Sequence, residues 1–193
     1  MGATAFATAV VAALTPHNTH TTTRPQPNLP IRCTLYSARP NEFRMLAPPS
    51  QPANHARLVL VRHGQSEWNR ANLFTGWVDV DLTADGIDEA RQAGKLMREN
   101  QLHFDAVYTS VLRRAVRTSC ILLSVLGQCY VPVVKDVRLN EQHPGALSGR
   151  NKRKLAEQHG AEQVMRWRRS YEFAPPELEP TSPLQRSIVN DAR

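Results

Sequence analysis

The stretch Leu58–Ser66, which reads LVLVRHGQS, decides how this sequence folds. Its first four residues form a continuous apolar run, which is typical of a strand buried on both faces of a parallel sheet. An arginine, a histidine and a glycine follow immediately. Because ligands bind at the carboxyl ends of the strands in α/β sheets, the stretch predicts a central strand with a binding site directly after it.

Helix and strand signals alternate downstream of this stretch. Thr83 can cap a helix whose apolar residues recur on one face, and Gly127 can end the next helix, which Ser110 precedes. The pattern predicts helices over about 84–99, 111–126 and 152–159, and strands at Ala106–Thr109 and Tyr130–Val134. This alternation indicates an α/β fold.

Composition narrows the class of partner. The chain has 193 residues, 41% of them hydrophobic, and a formal net charge of +7, so it can form one domain whose surface attracts anions. No apolar run approaches the roughly 18 residues that span a bilayer, which excludes an integral membrane protein. Nucleic acid, an anionic membrane surface and a phosphorylated small molecule remain as partners.

Residues 1–56 differ from the rest of the chain. They contain four arginines but a single acid, Glu42, and they are rich in Ala, Thr and Pro. An acid-poor, hydroxyl-rich composition is typical of transit peptides. It predicts a plastid or mitochondrial location, with the cytoplasm as the alternative if the segment is only a disordered extension.

The three cysteines form no metal-binding pattern and cannot all pair with one another, which indicates a reducing compartment. We expect Cys120 and Cys129 to be buried as small apolar residues, because free cysteine usually is.

The residues after the first strand have the chemistry of phosphoryl transfer. Arg62 offers a planar clamp for phosphate, and Ser66 and Asn69 offer neutral donors. Among them lies His63, whose imidazole lone pair can attack phosphorus and form a phosphohistidine. A hydrogen-bonded structural role is the alternative for this histidine.

Further blocks follow His63 in a fixed order. They are NLFTGW at Asn72–Trp77, YTSVLRRA at Tyr108–Ala115, LNE at Leu139–Glu141, GRNK at Gly149–Lys152 and WRRSY at Trp167–Tyr171. From about Leu58 to Glu177 the sequence resembles the cofactor-dependent phosphoglycerate mutases of the histidine phosphatase superfamily. We therefore expect a catalytic domain over residues 57–177 and a divergent tail over residues 178–193.

The resemblance implies a three-layer α/β sandwich with a mostly parallel sheet flanked by helices. It implies interconversion of 3- and 2-phosphoglycerate in glycolysis and gluconeogenesis through a phosphohistidine, primed by 2,3-bisphosphoglycerate and needing no metal. The alternatives are a phosphatase of the same superfamily and an inactive, truncated phosphate-binding protein. We expect the last strand and helices of the family fold to be missing, together with a second histidine in an Ala-His-Gly-Asn motif.

The resemblance also assigns roles to residues. His63 would be the nucleophile, and Arg62 and Arg114 would hold the phosphoryl group. Glu141 would exchange a proton with the substrate hydroxyl, which requires a raised pKa. The substrate contacts would come from Ser66, Asn69, Thr75, Gly76, Lys152, Arg168 and Arg169.

The segment after Glu141 departs from the family pattern. Family members usually continue with arginine, histidine and tyrosine, whereas this chain has Gln142, His143 and Pro144. A positive charge, a hydroxyl and a backbone donor are thereby absent, which predicts two lost substrate contacts.

The expected partners are small phosphorylated three-carbon acids. The basic run Arg150–Lys154 has no interleaved aromatic residues, so nucleic acid is not expected. A membrane partner is not expected either, and homo-oligomer formation is left open.

Overall fold

A computed structural model describes residues 9–14, 31–36 and 56–191 of the chain. Its strands are β1 (Ala9–Leu14), β2 (Ile31–Tyr36), β3 (Ala56–Arg62), β4 (Ala106–Thr109) and β5 (Val133–Lys135). In this part of the chain they form one sheet in the order β2-β3-β1-β4-β5.

Most strands of this sheet run in the same direction. β2 is parallel to β3 and β5 is parallel to β4, whereas β1 lies between β3 and β4 and is antiparallel to both. Four of the five described strands therefore point the same way, as a mostly parallel sheet requires. The carboxyl ends of β3 and β4 consequently lie at one edge of the sheet.

Two of the strands come from the amino-terminal segment. β1 and β2 lie within residues 1–56, the segment whose composition predicts a transit peptide, and both pair directly with β3. The rest of that segment, apart from Ala56, lies outside the described residues. Its targeting role stays a prediction.

Helices alternate with the strands, which confirms the α/β class. They are α1 (Glu67–Arg70), α2 (Ala84–Glu99), α3 (Arg113–Leu126), α4 (Lys152–His159), α5 (Ala161–Arg169) and α6 (Pro183–Val189). α2 and α4 have the predicted bounds, and Thr83 caps α2 by accepting a hydrogen bond from the Gly86 N–H at 3.1 Å. No helix in the described ranges is long and apolar enough to cross a membrane.

Two elements start later than the sequence predicts. α3 begins after Leu112, which has the extended backbone of a cap residue, and it ends at Gly127 in the left-handed conformation, with φ of 71°. β5 begins at Val133 because a turn precedes it, in which the Val131 N–H donates to the Gln128 carbonyl at 3.1 Å. Pro132 has no N–H to offer a neighbouring strand.

α2 and α3 pack together over one face of β3 and β4. This core contains Val59, Val61, Ala93, Met97, Leu102, Phe104, Val107, Leu122, Leu123 and Val131. Leu58 and Leu60, on the other face of β3, are only half-buried. The prediction that β3 is buried on both faces therefore holds for one face.

A second apolar cluster connects α4 and α5 with the loop that follows α1. It consists of Phe74, Leu147, Leu155 and Val164, with Trp167 packed against it. The main chain of Phe74 is also paired, because its N–H donates to Arg150 at 3.0 Å and its carbonyl accepts from Gly149 at 2.8 Å. The amino end of α4 is thereby fixed beside residues 74–82, called the 74–82 loop below.

The prediction that Cys120 and Cys129 are buried is wrong. Both are exposed. α3 places Ser119, Leu122 and Leu123 in its buried face, so that Cys120 faces outward. Cys129 lies in the turn before β5.

Candidate active site

His63 lies directly after β3 and is only 6% exposed. Its Nδ1 lies 2.6 Å from the Gly64 carbonyl oxygen, and because a carbonyl can only accept, Nδ1 carries the proton. The lone pair is then on Nε2. Burial, followed by the positive charges of Arg114 and Arg62, lowers the pKa of His63 to about 3, although the hydrogen bond to Gly64 opposes the shift. His63 is therefore neutral at physiological pH and has one nitrogen able to act as a nucleophile.

The turn after His63 rests on the amino end of α2. A Cβ on Gly64 would overlap the carbonyl oxygen of Gly86, so the two main chains are in direct contact. The Gln65 N–H donates to Oε2 of Glu89 at 2.8 Å, and Thr83 donates to Oε1 of Gln65 at 2.9 Å. These contacts fix the backbone that carries the imidazole.

Ser66 and Asn69 bond to each other across the first turn of α1. The Asn69 N–H donates to Oγ of Ser66, and the Ser66 N–H donates to Oδ1 of Asn69, each at 3.2 Å. This reciprocal capping orders the chain that follows the His63 turn. Their predicted substrate contacts stay predictions.

Arg114 is the second residue of α3, and its side chain is completely buried. Its Nη1 donates to the Val78 carbonyl at 3.0 Å, and its Nη2 donates to the Gly76 carbonyl at 2.7 Å and to Oε1 of Glu141 at 2.8 Å. Burial lowers the pKa of the guanidinium, and the charge of Glu141 opposes that shift. Nε is buried and has no hydrogen-bond partner among the described residues.

Glu141 follows a 3-10 turn at Val137–Leu139, and its side chain is 20% exposed. Burial raises the pKa of its carboxyl group, while Arg114, Arg62 and Lys152 act in the opposite direction. A raised pKa is the direction that a carboxyl group needs in order to give and take a proton in catalysis.

Thr75 and Gly76 form the wall between Arg114 and the segment after Glu141. Thr75 is 8% exposed, and its Oγ1 has no hydrogen-bond partner in the described part of the chain. Gly76 has φ of 56°, and a Cβ there would overlap the Pro144 ring. Only glycine fits this position.

Four basic side chains, Arg62, Lys152, Arg168 and Arg169, form what we call the cation cluster. Burial lowers the pKa of Lys152, and the charges of Arg168 and Arg62 lower it further. The pKa of Arg168 is lowered by burial and then by Arg169 and Arg62. Cations that destabilise one another in this way favour a bound anion. No group of three or more metal-binding His, Cys, Asp or Glu side chains occurs within the described ranges.

Comparison with known proteins identifies the family of this chain. The family model of the histidine phosphatase superfamily, branch 1, matches residues 58–189. This chain belongs to the histidine phosphatase superfamily. A curated relative, the 2,3-bisphosphoglycerate-dependent phosphoglycerate mutase of Corynebacterium kroppenstedtii, is 53% identical over 126 residues. That match confirms the resemblance to phosphoglycerate mutases. It covers 65% of this chain and 51% of the relative, so the chain spans about half the relative's length.

Two solved structures of histidine phosphatase type have a similar fold. Mycobacterial hydrolase 1 is 27% identical with a TM-score of 0.50, and the match covers 58% of this chain and 50% of that one. The mycobacterial glucosyl-3-phosphoglycerate phosphatase in complex with VO3 is 29% identical with a TM-score of 0.50, covering 58% of this chain and 51% of that one.

Two acids to which the sequence alone assigned no role connect the 74–82 loop to α3. The Arg113 N–H donates to Oδ1 of Asp79 at 2.6 Å, and Arg117 pairs with Asp81 at 2.5 Å. Burial raises the pKa of Asp81, but the hydrogen bonds from Arg117 and the Leu82 N–H, together with the charges of Arg117 and Arg113, outweigh burial and lower the pKa. The sequence signal for these contacts is a pair of acids in the loop and two arginines four residues apart, which lie on the same side of a helix.

The other described histidines contact different residues. His103 Nδ1 lies 3.5 Å from Nε2 of Gln128, and the His159 ring packs edge-on against Trp167 at 5.3 Å. The His143 ring packs edge-on against Trp77. For His63, the charge of Arg114 adds to burial in lowering the pKa.

Proposed function

We propose that this chain interconverts 3- and 2-phosphoglycerate through a phosphohistidine at His63, as a step of glycolysis and gluconeogenesis. The observation that carries the proposal is the neutral imidazole of His63, whose Nε2 is left free by the bond from Nδ1 to Gly64. The 53% identical relative that is named a phosphoglycerate mutase supports it.

The chemistry of the proposed step follows from three side chains. Nε2 of His63 attacks phosphorus, so that an N–P bond forms and the bond from phosphorus to the substrate oxygen breaks. Glu141 gives a proton to that oxygen, and it takes a proton from the hydroxyl that later receives the phosphoryl group. Arg114 stabilises the negative charge on the transferring group from its buried position.

The cation cluster fits a ligand with several negative groups. Arg62, Lys152, Arg168 and Arg169 would hold the phosphate and carboxylate groups of the three-carbon acids, and the unpaired hydroxyl of Thr75 would add a hydrogen bond. The same residues fit 2,3-bisphosphoglycerate, which would supply the phosphoryl group that primes His63.

We propose a plastid or mitochondrial location on the composition of residues 1–56. Fusion of these residues to a fluorescent protein should direct it to one of these organelles. A diffuse cytoplasmic signal would contradict the proposed location.

A superfamily phosphatase is the second candidate. A structurally similar protein is named a glucosyl-3-phosphoglycerate phosphatase. In addition, Gln142 and Pro144 offer no positive charge and no hydroxyl to the substrate, and Pro144 packs over Gly76. Weaker retention of the three-carbon acid would favour transfer of the phosphoryl group to water.

The test begins with the phosphoenzyme. Incubation with 2,3-bisphosphoglycerate should add one acid-labile phosphoryl group to the intact chain, measured by mass spectrometry. His63→Ala should not acquire it, whereas His159→Ala, whose ring packs against Trp167, should. A label that persists in His63→Ala would refute the proposal.

The balance of products then separates the candidates. Formation of 2-phosphoglycerate faster than release of inorganic phosphate supports the mutase, and the reverse result supports the phosphatase. A chain that unfolds cooperatively but acquires no phosphoryl group would be the inactive phosphate-binding protein.

A further inference from the structure

The indole of Trp77 holds the main chain of Glu141, and Trp77 has no role in the reaction proposed above. Nε1 of Trp77 donates a hydrogen bond to the Glu141 carbonyl oxygen at 2.7 Å. This distance is at the short end of the range for N–H···O bonds, and Trp77 is half-buried. Trp77 thus ties the 74–82 loop to the segment that carries the carboxyl group.

The side chain of Glu141 is held from the same loop by a second route. Nη2 of Arg114 donates both to the carbonyl of Gly76 and to Oε1 of Glu141. Gly76 and Trp77 are consecutive, so adjacent loop residues control both ends of Glu141. The indole holds its backbone, and the guanidinium that is bound to Gly76 holds its carboxylate.

The residues after Glu141 hold the indole in turn. The His143 ring meets the Trp77 ring edge-on, with centroids 5.6 Å apart and planes at 77°. Nδ1 of His143 accepts a hydrogen bond from the Gly145 N–H at 3.0 Å, which fixes the orientation of its ring. Pro144 covers Gly76. The segment that departs from the family pattern therefore packs directly on the loop that positions Glu141.

We infer that Trp77 is a positioning residue for Glu141, an inference that rests on the proposed proton-transfer role of this carboxyl group. Without the indole N–H, the Glu141 carbonyl loses its donor and Arg114 holds the residue at one carboxylate oxygen only. Small displacements of a reacting group lower rates steeply. Trp77→Phe should therefore lower kcat by about tenfold or more, with KM changed by less than about twofold.

The structural part of the test does not need turnover. In 15N-labelled protein, the indole N–H signals of Trp68, Trp77 and Trp167 are assigned by phenylalanine substitution of each. The Trp77 signal should exchange slowly with solvent, and its shift should follow the ionisation of Glu141 and lose that dependence in Glu141→Gln.

The charged groups around Glu141 and Trp77 define the remaining controls. Arg114, Arg62 and Lys152 place positive charge around the carboxyl group of Glu141, whereas the titratable ring of His143 faces the indole. In His143→Gln the response of the Trp77 signal to Glu141 should persist.

Trp167→Phe is the matched control, because Trp167 packs on the second apolar cluster. It should keep the slow exchange of the Trp77 signal and the dependence of that signal on Glu141. An unchanged kcat in Trp77→Phe would overturn the inference, as would a fast-exchanging Trp77 indole or one that is insensitive to Glu141→Gln.

If the wild type acquires no phosphoryl group and shows no turnover, the proposed function fails, and the indole signal still decides whether Trp77 holds Glu141. Should Trp77→Phe fail to fold, the spectra of the wild type and of Glu141→Gln give the same decision.

Discussion

Nη2 of Arg114 lies 2.8 Å from Oε1 of Glu141, and the two side chains are 0% and 20% exposed. The same guanidinium donates to the main-chain carbonyls of Gly76 and Val78. One cation therefore pairs with the buried carboxyl group and also closes the 74–82 loop onto α3. Such a pair is costly to break, because the partner left behind is a buried charge without compensation.

Replacement of this arginine should destabilise the fold. In Arg114→Met, Glu141 and two carbonyl groups lose their donor, so we expect the free energy of unfolding to fall by about 3 to 5 kcal/mol. Urea denaturation measures the change. Arg91→Ala is the control, because its pair with Asp88 is exposed and should be worth less than about 1 kcal/mol. Equal losses in the two variants would contradict the prediction.

Acidification should destabilise the protein through His63. Its pKa is about 3 in the folded chain against the ordinary 6.5, so between these values the unfolded chain binds a proton that the folded chain does not. Stability should therefore fall as the pH drops through this window, by up to about 1.4 kcal/mol per pH unit. In His63→Gln the dependence of unfolding free energy on pH should be shallower. Identical slopes would show that His63 is not the group responsible.

Glu141 should act on stability with the opposite sign. Its pKa is raised in the folded chain, so the folded chain holds this proton more tightly than the unfolded chain does. The contribution is present at low pH and is lost as the pH rises through the raised pKa. Glu141→Gln, measured by the same titration, should therefore gain stability relative to the wild type as the pH rises. No relative change with pH would contradict the raised pKa.

Lys152→Gln should weaken substrate binding more than Lys154→Gln does, although both variants remove one positive charge from α4. Loss of a charged hydrogen bond costs about 1.5 to 3 kcal/mol, so KM for 3-phosphoglycerate should rise about ten- to a hundredfold. Lys154→Gln removes the same charge from an exposed position on the same helix, and it should change KM far less. If both variants bind equally weakly, overall charge accounts for the effect and the cation cluster does not.

Gly64→Ala should disrupt the turn that carries His63. Its Cβ would overlap the carbonyl oxygen of Gly86, and main chain cannot move aside as a flexible side chain can. We expect a larger loss of stability than in Gly127→Ala, where the Cβ meets open space and only the left-handed backbone costs about 1 to 2 kcal/mol. Thermal unfolding of the two variants provides the comparison, and a milder effect at Gly64 would count against the close contact.

Elements with local start and stop signals were predictable from the sequence. Thr83 and Gly127 mark helix ends through hydrogen bonds and backbone angles that depend on a few neighbouring residues. β5 was placed too early because the turn before it is stabilised by a backbone hydrogen bond that apolar patterning does not reveal. Cys120 was misplaced because residue type alone does not say which face of α3 it occupies.

The sequence nominates residues for the candidate site, but it does not show how they contact one another. His63 and Arg114 lie at strand and helix ends, where an α/β sheet collects its ligands. The bond from Trp77 to Glu141 joins residues far apart in the chain, and no periodic pattern reports such a contact. The mutual capping of Ser66 and Asn69 likewise depends on backbone angles that become known only in the folded chain.

Phe74 connects the second apolar cluster to two basic side chains of the proposed anion site. Its ring belongs to the second apolar cluster, and Nζ of Lys152 and Cζ of Arg168 lie 5.8 and 5.9 Å from its centroid. The spacing of the two cations therefore depends on how this ring packs against the other apolar residues of the cluster. A substitution that refills the cluster without touching any polar atom should therefore change the spacing of these cations, and with it the acids that the proposed site would bind.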